Sequence, residues 1–104
     1  MYKRQFFHLE TAAWGLGVSL RGQHEFAQAA EAFDQVATVK DADPLLVQRA
    51  LVSSGEMYDT LGQRDLAVAR YRQALAVSGE GDAADAARHH LRRAWHFSEA
   101  RGTV

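Results

Sequence analysis

Residues 51–77, LVSSGEMYDTLGQRDLAVARYRQALAV, constrain the fold more than any other part of the chain. Apolar residues recur at spacings of three and four on both sides of Gly62, which predicts two short amphipathic helices joined by a glycine turn. Small residues stand where the helices must cross, and aromatic residues stand where one helix must fill the groove of the other. In order, these positions are Leu51, Gly55, Tyr58, Gly62, Ala67, Tyr71 and Ala74.

The same pattern occurs earlier in the chain, with an offset of 38 residues between Gly17 and Gly55. In this alignment His24 stands at the turn position of Gly62. An alternative aligns Gly22 with Gly62 and places Gly15 at the helix crossing. The first alignment is preferred because it keeps Leu16 and Leu20 buried. Seven residues of the first unit then take the places of Leu51, Ser54, Gly55, Tyr58, Ala67, Tyr71 and Ala74. In the same order they are Ala13, Leu16, Gly17, Leu20, Ala29, Phe33 and Val36.

Five helices in antiparallel succession account for almost the whole chain. The first has an apolar stripe and ends near Gly22, and the second runs to about Lys40. Asp43 as the N-cap and Pro44 at the first helical position predict a third helix over about 44–61. The fourth covers about 65–77, and the fifth starts at Asp82, with Asp85 as its capping partner, and ends at 101–102. The stripe of the first helix is Phe6, Leu9, Ala13, Leu16 and Leu20, and the fourth helix buries Leu66, Ala67, Tyr71, Ala74 and Leu75.

This spacing resembles the tetratricopeptide repeat, whose period is about 34 residues. The longer offset implies a four-residue insertion in the link over 38–43. The resemblance implies an all-α fold, an α-solenoid of antiparallel helix-turn-helix repeats in a single domain over residues 1–104. Repeat 1 covers about 10–43, repeat 2 about 48–81, and a capping helix about 82–101 hides the last apolar face.

The resemblance also implies a scaffold or adaptor that binds a peptide or a helix of a partner protein, in a concave groove lined by the first helix of each repeat. Trp14, Arg49 and Arg92 are expected to contribute most, because tryptophan and arginine dominate interface hot spots. Trp14 is equally consistent with a place in the core. The predicted groove residues are Trp14, Val18 and Arg21, then Arg49, Val52, Glu56 and Asp59, then His89, Arg92 and His96.

One known sub-class does not fit: adaptors that hold a C-terminal carboxylate with paired lysines and asparagines. The sequence has no asparagine, and the predicted groove has no lysine. A carboxylate clamp built from Arg49 and Arg92, which differs from the known pattern, is an alternative that the sequence leaves open.

Two repeats are fewer than the roughly three expected for stable stacking, so apolar residues at the ends of the array need cover. They are Tyr2, Phe6 and Phe7 at one end and Trp95 and Phe97 at the other. Self-association into a homo-oligomer is therefore a second expectation. The alternative function is a self-associating recruitment domain of a larger regulator or enzyme.

Composition argues against several other classes of partner. A formal net charge of −1 does not favour nucleic-acid binding, and Arg88, Arg92 and Arg93 are diluted by acidic residues on the same helix. No apolar run approaches the roughly 20 residues of a membrane helix, and no signal peptide is predicted. The absence of cysteine suits a reducing cytoplasm, and lysine only at Lys3 and Lys40 beside many arginines indicates a GC-rich bacterial genome.

Enzymatic and metal-binding interpretations receive little support from the sequence. His89 and His90 together with His96 suggest a metal site, and His89 and His96 lie two turns apart on one face. A zinc site needs further ligands, so solvated histidines on the helix face are expected instead. Glu56 and Asp59 lie one turn apart without a nucleophile or a phosphate-binding loop beside them, so we interpret them as groove or surface charge. We expect no catalytic residue and no cofactor.

Overall fold

The computed structural model describes residues 8–96, which form an all-helical fold. Its helices are α1 (Leu9–Gly22), α2 (Phe26–Val36), α3 (Pro44–Thr60), α4 (Arg64–Val77) and α5 (Asp82–Arg92). Neighbouring helices pack in sequence, and α3 also contacts α1 and α5. The expected apolar residues Tyr2, Phe6, Phe7 and Phe97 lie outside the described residues.

The turns between paired helices have matching backbone conformations. Gly62, between α3 and α4, has φ of 78°, and His24, between α1 and α2, has φ of 64°. Both lie in the left-handed region that favours glycine. The structure therefore places His24 where the alignment predicts it, at the turn position of Gly62.

The crossing of each helix pair depends on a glycine facing an aromatic ring. A methyl group on Gly17 would lie 2.5 Å from Cε1 of Phe33, and one on Gly55 would overlap the ring of Tyr71. A methyl group on Gly15 would meet nothing within 4 Å. The alignment of Gly17 with Gly55 is confirmed, and the alternative with Gly15 at the crossing is wrong.

The core consists of two buried clusters, and the partly buried Val47 and Tyr58 pack against both. One buried cluster joins α2 to α3 and contains Phe33 and Met57, both fully buried. The other joins α3, α4 and α5 around Tyr71, which is also fully buried. Asp43 accepts a hydrogen bond from the backbone N–H of Leu45 at 3.0 Å, which confirms the predicted start of α3.

Three leucines predicted to be buried are not. Leu9 is 63% exposed and Leu16 is 53% exposed, because α2 packs on the side of α1 that carries Gly17. Leu66 on α4 is 42% exposed. The preferred alignment was thus right, but the argument that it would bury Leu16 was wrong.

Two helix ends also differ from the sequence prediction. The α2 helix ends at Val36 rather than near Lys40, and Asp41 adopts a positive φ of 61° in the link to α3. The α5 helix ends at Arg92 rather than near residue 101, because Arg93 is extended. Gly81, not a carboxylate, is the N-cap residue of α5, and no side chain caps that end.

The ends of α4 and α5 are each fixed by one side chain of a preceding helix. Nη2 of Arg64 donates to the carbonyl oxygens of His90 and Leu91 at 2.7 and 3.0 Å. These belong to the last carbonyls of α5, which lack partners within the helix. Gln48 acts in the same way on α4, since its Nε2 donates to the carbonyls of Ala74 and Ser78 at 3.0 and 2.7 Å.

Candidate functional site

A cleft on the side formed by α1, α3 and α5 brings together three of the predicted groove residues. It has a volume of about 230 Å³ and includes Trp14 from α1 with Arg49 and Val52 from α3. We call it the Trp14 cleft. Its full lining is Trp14, Arg49, Val52, Ser53, Asp82 and Ala83.

Trp14 belongs both to the core and to this cleft. Its side chain is half-buried, and its ring centroid lies 5.2 Å from that of Phe33. One part of the indole therefore packs against α2 while another forms a wall of the cleft. Trp14 is therefore both a core residue and a groove residue, because its side chain is large enough to reach both places.

The polar groups of the cleft are available to a ligand. Arg49 and Asp82 are exposed, and neither forms an ion pair with another residue between 8 and 96. Val52, only 6% exposed, forms an apolar floor between them. The cleft thus offers an aromatic wall, an apolar floor and one charge of each sign.

The two other groove residues predicted on α1, Val18 and Arg21, lie beyond the cleft. Val18 is half-buried against the core. The guanidinium carbon of Arg21 lies 5.6 Å from the ring centroid of Phe33, which is the distance of a cation–π contact. Neither residue lines the Trp14 cleft.

Asp59 is not a groove residue, because it is buried in a polar cluster between α3, α4 and the segment after α5. It is 4% exposed and accepts a hydrogen bond from the Tyr71 hydroxyl at 2.7 Å. Nη1 of Arg64 donates to its Oδ2 at 2.9 Å, and the backbone N–H of Trp95 donates at 3.0 Å. Burial and the hydrogen bond to Asp59 raise the pKa of the Tyr71 phenol. We call these residues the Asp59 cluster.

Glu56 is likewise already paired. Its Oε2 lies 3.0 Å from Nε2 of His90, and His90 is only 6% exposed. The prediction of solvated histidines is therefore wrong for His90, which packs between Tyr71 and Trp95 with ring centroids 5.3 and 5.2 Å away. Both carboxylates considered for acid–base chemistry thus have partners within the fold.

His89, Arg92 and His96 are exposed and do not line the Trp14 cleft. On α5 it is His90, the neighbour of His89, that faces α3. Within the described part of the chain, no three His, Cys, Asp or Glu side chains come together as ligands for a metal ion. The α5 residues that line the cleft are Asp82 and Ala83, at the start of that helix.

Sequence reasoning missed Ser53, Asp82 and Ala83 in the cleft, although a signal for Ala83 exists. Advancing Arg49 and Glu56 by the repeat period of about 34 residues leads to Ala83 and His90. These are the residues that the structure places opposite them across α3 and α5. Treating α5 as the first helix of a further repeat would have selected them.

A second polar cluster, also missed, joins the two helix pairs. Asp34 on α2 accepts from the Ser54 hydroxyl at 2.5 Å and from the Tyr58 hydroxyl at 2.9 Å. Nε of Arg70 donates to the same carboxylate at 2.9 Å. Burial and the bond to Asp34 raise the pKa of Tyr58, and the bond to Asp34 raises the pKa of Arg70. Asp34 and Arg70 are partly exposed and Ser54 is fully buried, and the cluster fixes α2 on α3 and α4.

No protein-family model matches the chain, and no curated protein or solved structure matches it either. Among the helices within residues 8–96, none is both long enough and apolar enough to cross a lipid bilayer.

Proposed function

We propose that this chain is a protein-interaction module of the tetratricopeptide type, which holds a peptide or a helix of a partner protein on the side formed by α1, α3 and α5. Binding makes and breaks no covalent bond. We further propose a cytoplasmic setting, which the absence of cysteine suits.

The observation that carries the proposal is the Trp14 cleft. Its residues come from α1, α3 and α5, so its shape depends on the stacking of successive helix pairs. The crossings at Gly17 and Gly55 set the packing within each pair, and the bonds of Asp34 to α3 and α4 join one pair to the next. A rigid scaffold beneath the site favours recognition of a preformed shape, because little ordering is needed on binding.

The chemistry of the cleft also favours a protein ligand. Tryptophan and arginine supply large contact area and planar hydrogen-bond donors, and both are enriched in interface hot spots. An apolar side chain of the partner would rest on Trp14 and Val52. Arg49 and Asp82 would then take a carboxylate and an amine or amide on its two sides.

The test is a selection of displayed peptides on the immobilised full chain, followed by calorimetric titration of the selected peptides. We expect Arg49→Ala and Trp14→Ala each to weaken binding by about 1–3 kcal/mol. Arg72→Ala is the matched control, since Arg72 is an exposed arginine on α4. Thermal unfolding of each variant separates lost binding from lost fold, which matters for Trp14 because it packs on Phe33.

Peptides that bind the Trp14→Ala/Arg49→Ala double variant as tightly as the original chain would contradict the assignment of the cleft. Failure to select any peptide on the folded chain would contradict the interaction function itself.

A further inference from the structure

One side of α1 is covered by no other described helix. It consists of Leu9, Ala12, Gly15, Leu16, Ser19 and Gln23, all of them exposed. We call it the α1 outer face. Leu9 and Leu16 on it are exposed by 63% and 53%, and lie apart from the Trp14 cleft.

The equivalent positions on α3 show what such a face does within this fold. Ala12, Leu16 and Ser19 correspond to Ala50, Ser54 and Met57 at the offset of 38 residues. On α3 all three are fully buried, because α2 packs on them. The same face therefore receives a helix in the second pair and is open in the first.

A hollow of about 430 Å³ lies beside the α1 outer face, between α1 and the end of α2. No residue that lines it is charged, and no residue of the α1 outer face is charged. The lining residues are Leu9, Ala12, Ala13, Leu16, Gln35, Thr38 and Val39. Any partner that covers this surface must bring an uncharged face, because a charge buried here would find no counter-charge.

Exposed residues on each of the other described helices include at least one charge. Examples are Glu31 on α2, Arg49 on α3, Asp65 and Arg72 on α4, and Asp85, Arg88 and Arg92 on α5. Among the helices within residues 8–96, α1 thus offers a face without charge, which meets no like charge when it faces a second copy of itself. We propose that it binds the α1 outer face of a second copy across a two-fold axis.

The side chains suit such a contact. Ala12, Gly15 and Ser19 are small and let two helices approach closely. Leu16 of each copy would enter the hollow of the other, which removes its exposed surface from water. The surface differs from the apolar ends named from the sequence, and it leaves the Trp14 cleft open to a ligand.

The experiment is sedimentation equilibrium of the full chain over roughly 1–500 μM, where mass action separates monomer from dimer. Leu16→Glu is the variant, and Leu66→Glu is the matched control, because Leu66 is an exposed leucine on α4. We expect the original chain and the control to dimerise alike, and Leu16→Glu to raise the dimer dissociation constant by about tenfold or more. Circular dichroism verifies that all variants keep their helices.

A charge swap tests the two-fold geometry directly. Leu16→Glu and Leu16→Lys should each be monomeric alone and should form a one-to-one dimer on mixing, because the opposite charges then face each other. A chain that stays monomeric throughout this range overturns the proposal. A dimer that is unaffected by Leu16→Glu, or variants that fail to pair on mixing, overturn it as well.

Discussion

The two helix pairs share one steric design and differ in how the crossing ring is held. In the first pair Phe33 packs on Gly17, and in the second Tyr71 packs on Gly55. The hydroxyl of Tyr71 bonds to Asp59, whereas the guanidinium of Arg21, at the equivalent position, lies over the ring of Phe33.

This difference separates two kinds of stabilisation. The Asp59 cluster uses hydrogen bonds to a buried charge, which contribute about 1.5–3 kcal/mol each. A cation–π contact at a partly exposed site contributes about 0.5–1 kcal/mol. The second pair is therefore fixed to the segment after α5 by polar bonds, while the first relies on shape and has a side of α1 that no other helix within residues 8–96 covers.

The largest expected effect comes from removing the charged residue of each pair. Asp59→Ala removes the carboxylate partner of Arg64, which keeps only its bonds to the α5 carbonyls, and deprives the Tyr71 hydroxyl and the Trp95 N–H of their acceptor. We expect a loss of about 3–5 kcal/mol in the free energy of unfolding, measured in urea. Arg21→Ala, the equivalent change in the first pair, should cost about 0.5–1 kcal/mol.

If Asp59→Ala does not fold, Asp59→Asn is the milder variant, because it keeps one acceptor oxygen. Equal losses for Asp59→Asn and Arg21→Ala would show that burial of the carboxylate does not distinguish the two pairs.

The next largest effect on stability is expected from substitutions at the helix crossings. A methyl group on either crossing glycine overlaps an aromatic ring, so Gly17→Ala and Gly55→Ala should each cost about 1–3 kcal/mol. Gly55→Ala should cost more, since Tyr71 is held at its hydroxyl and cannot shift as Phe33 can. Gly15→Ala is the control, and it should stabilise the chain by about 0.5–1 kcal/mol because space is open there. A stabilising Gly17→Ala would contradict the shared design.

The third test uses pH, because only the second pair has a titratable crossing ring. The folded pKa of Tyr71 is raised above its unfolded value of about 10. The Tyr71 contribution to stability is then complete below pH of about 10 and is lost as the pH rises towards the folded pKa.

We expect the free energy of unfolding to fall by about 1 kcal/mol between pH of about 10 and 11, and to fall less in Tyr71→Phe. Tyr58 contributes a smaller change in the same direction, since its pKa is also raised. An identical alkaline decline in Tyr71→Phe would show that the Asp59 cluster does not hold the phenol in its neutral form.

The parts of this fold that depend on local spacing were predictable from the sequence, and the polar clusters were not. Gly17, Gly55 and Pro44 act through sterics or backbone geometry within one helix pair. The partners of Asp59, by contrast, include the N–H of Trp95, 36 residues further along the chain. Amphipathic periodicity does not specify such pairings, because it shows which side of a helix is buried and not what it meets.

The exposed leucines show a second limit of amphipathic periodicity. Leu9 and Leu16 have helical spacing with Ala13 and Leu20, and periodicity assigns all four to one buried stripe. Whether that stripe is covered depends on the number of helices stacked beside α1. The Trp14 cleft was found in part, since Trp14, Arg49 and Val52 follow from the repeat, whereas Asp82 depends on the placement of α5.

The smallest expected effect concerns the turns. His24 adopts a left-handed conformation in the first pair that Gly62 adopts in the second, and a side chain makes that conformation costly. We expect His24→Gly to stabilise the chain by about 0.5–1 kcal/mol, reduced by loss of the stacking of His24 on Phe26 at 5.3 Å. Gly62→His, the reciprocal change, should destabilise it by about 1 kcal/mol. Thermal unfolding of both variants and of the double exchange measures the difference. If His24→Gly is destabilising, the contacts of the His24 side chain outweigh the backbone term, and the first turn is held by its side chains rather than by its conformation.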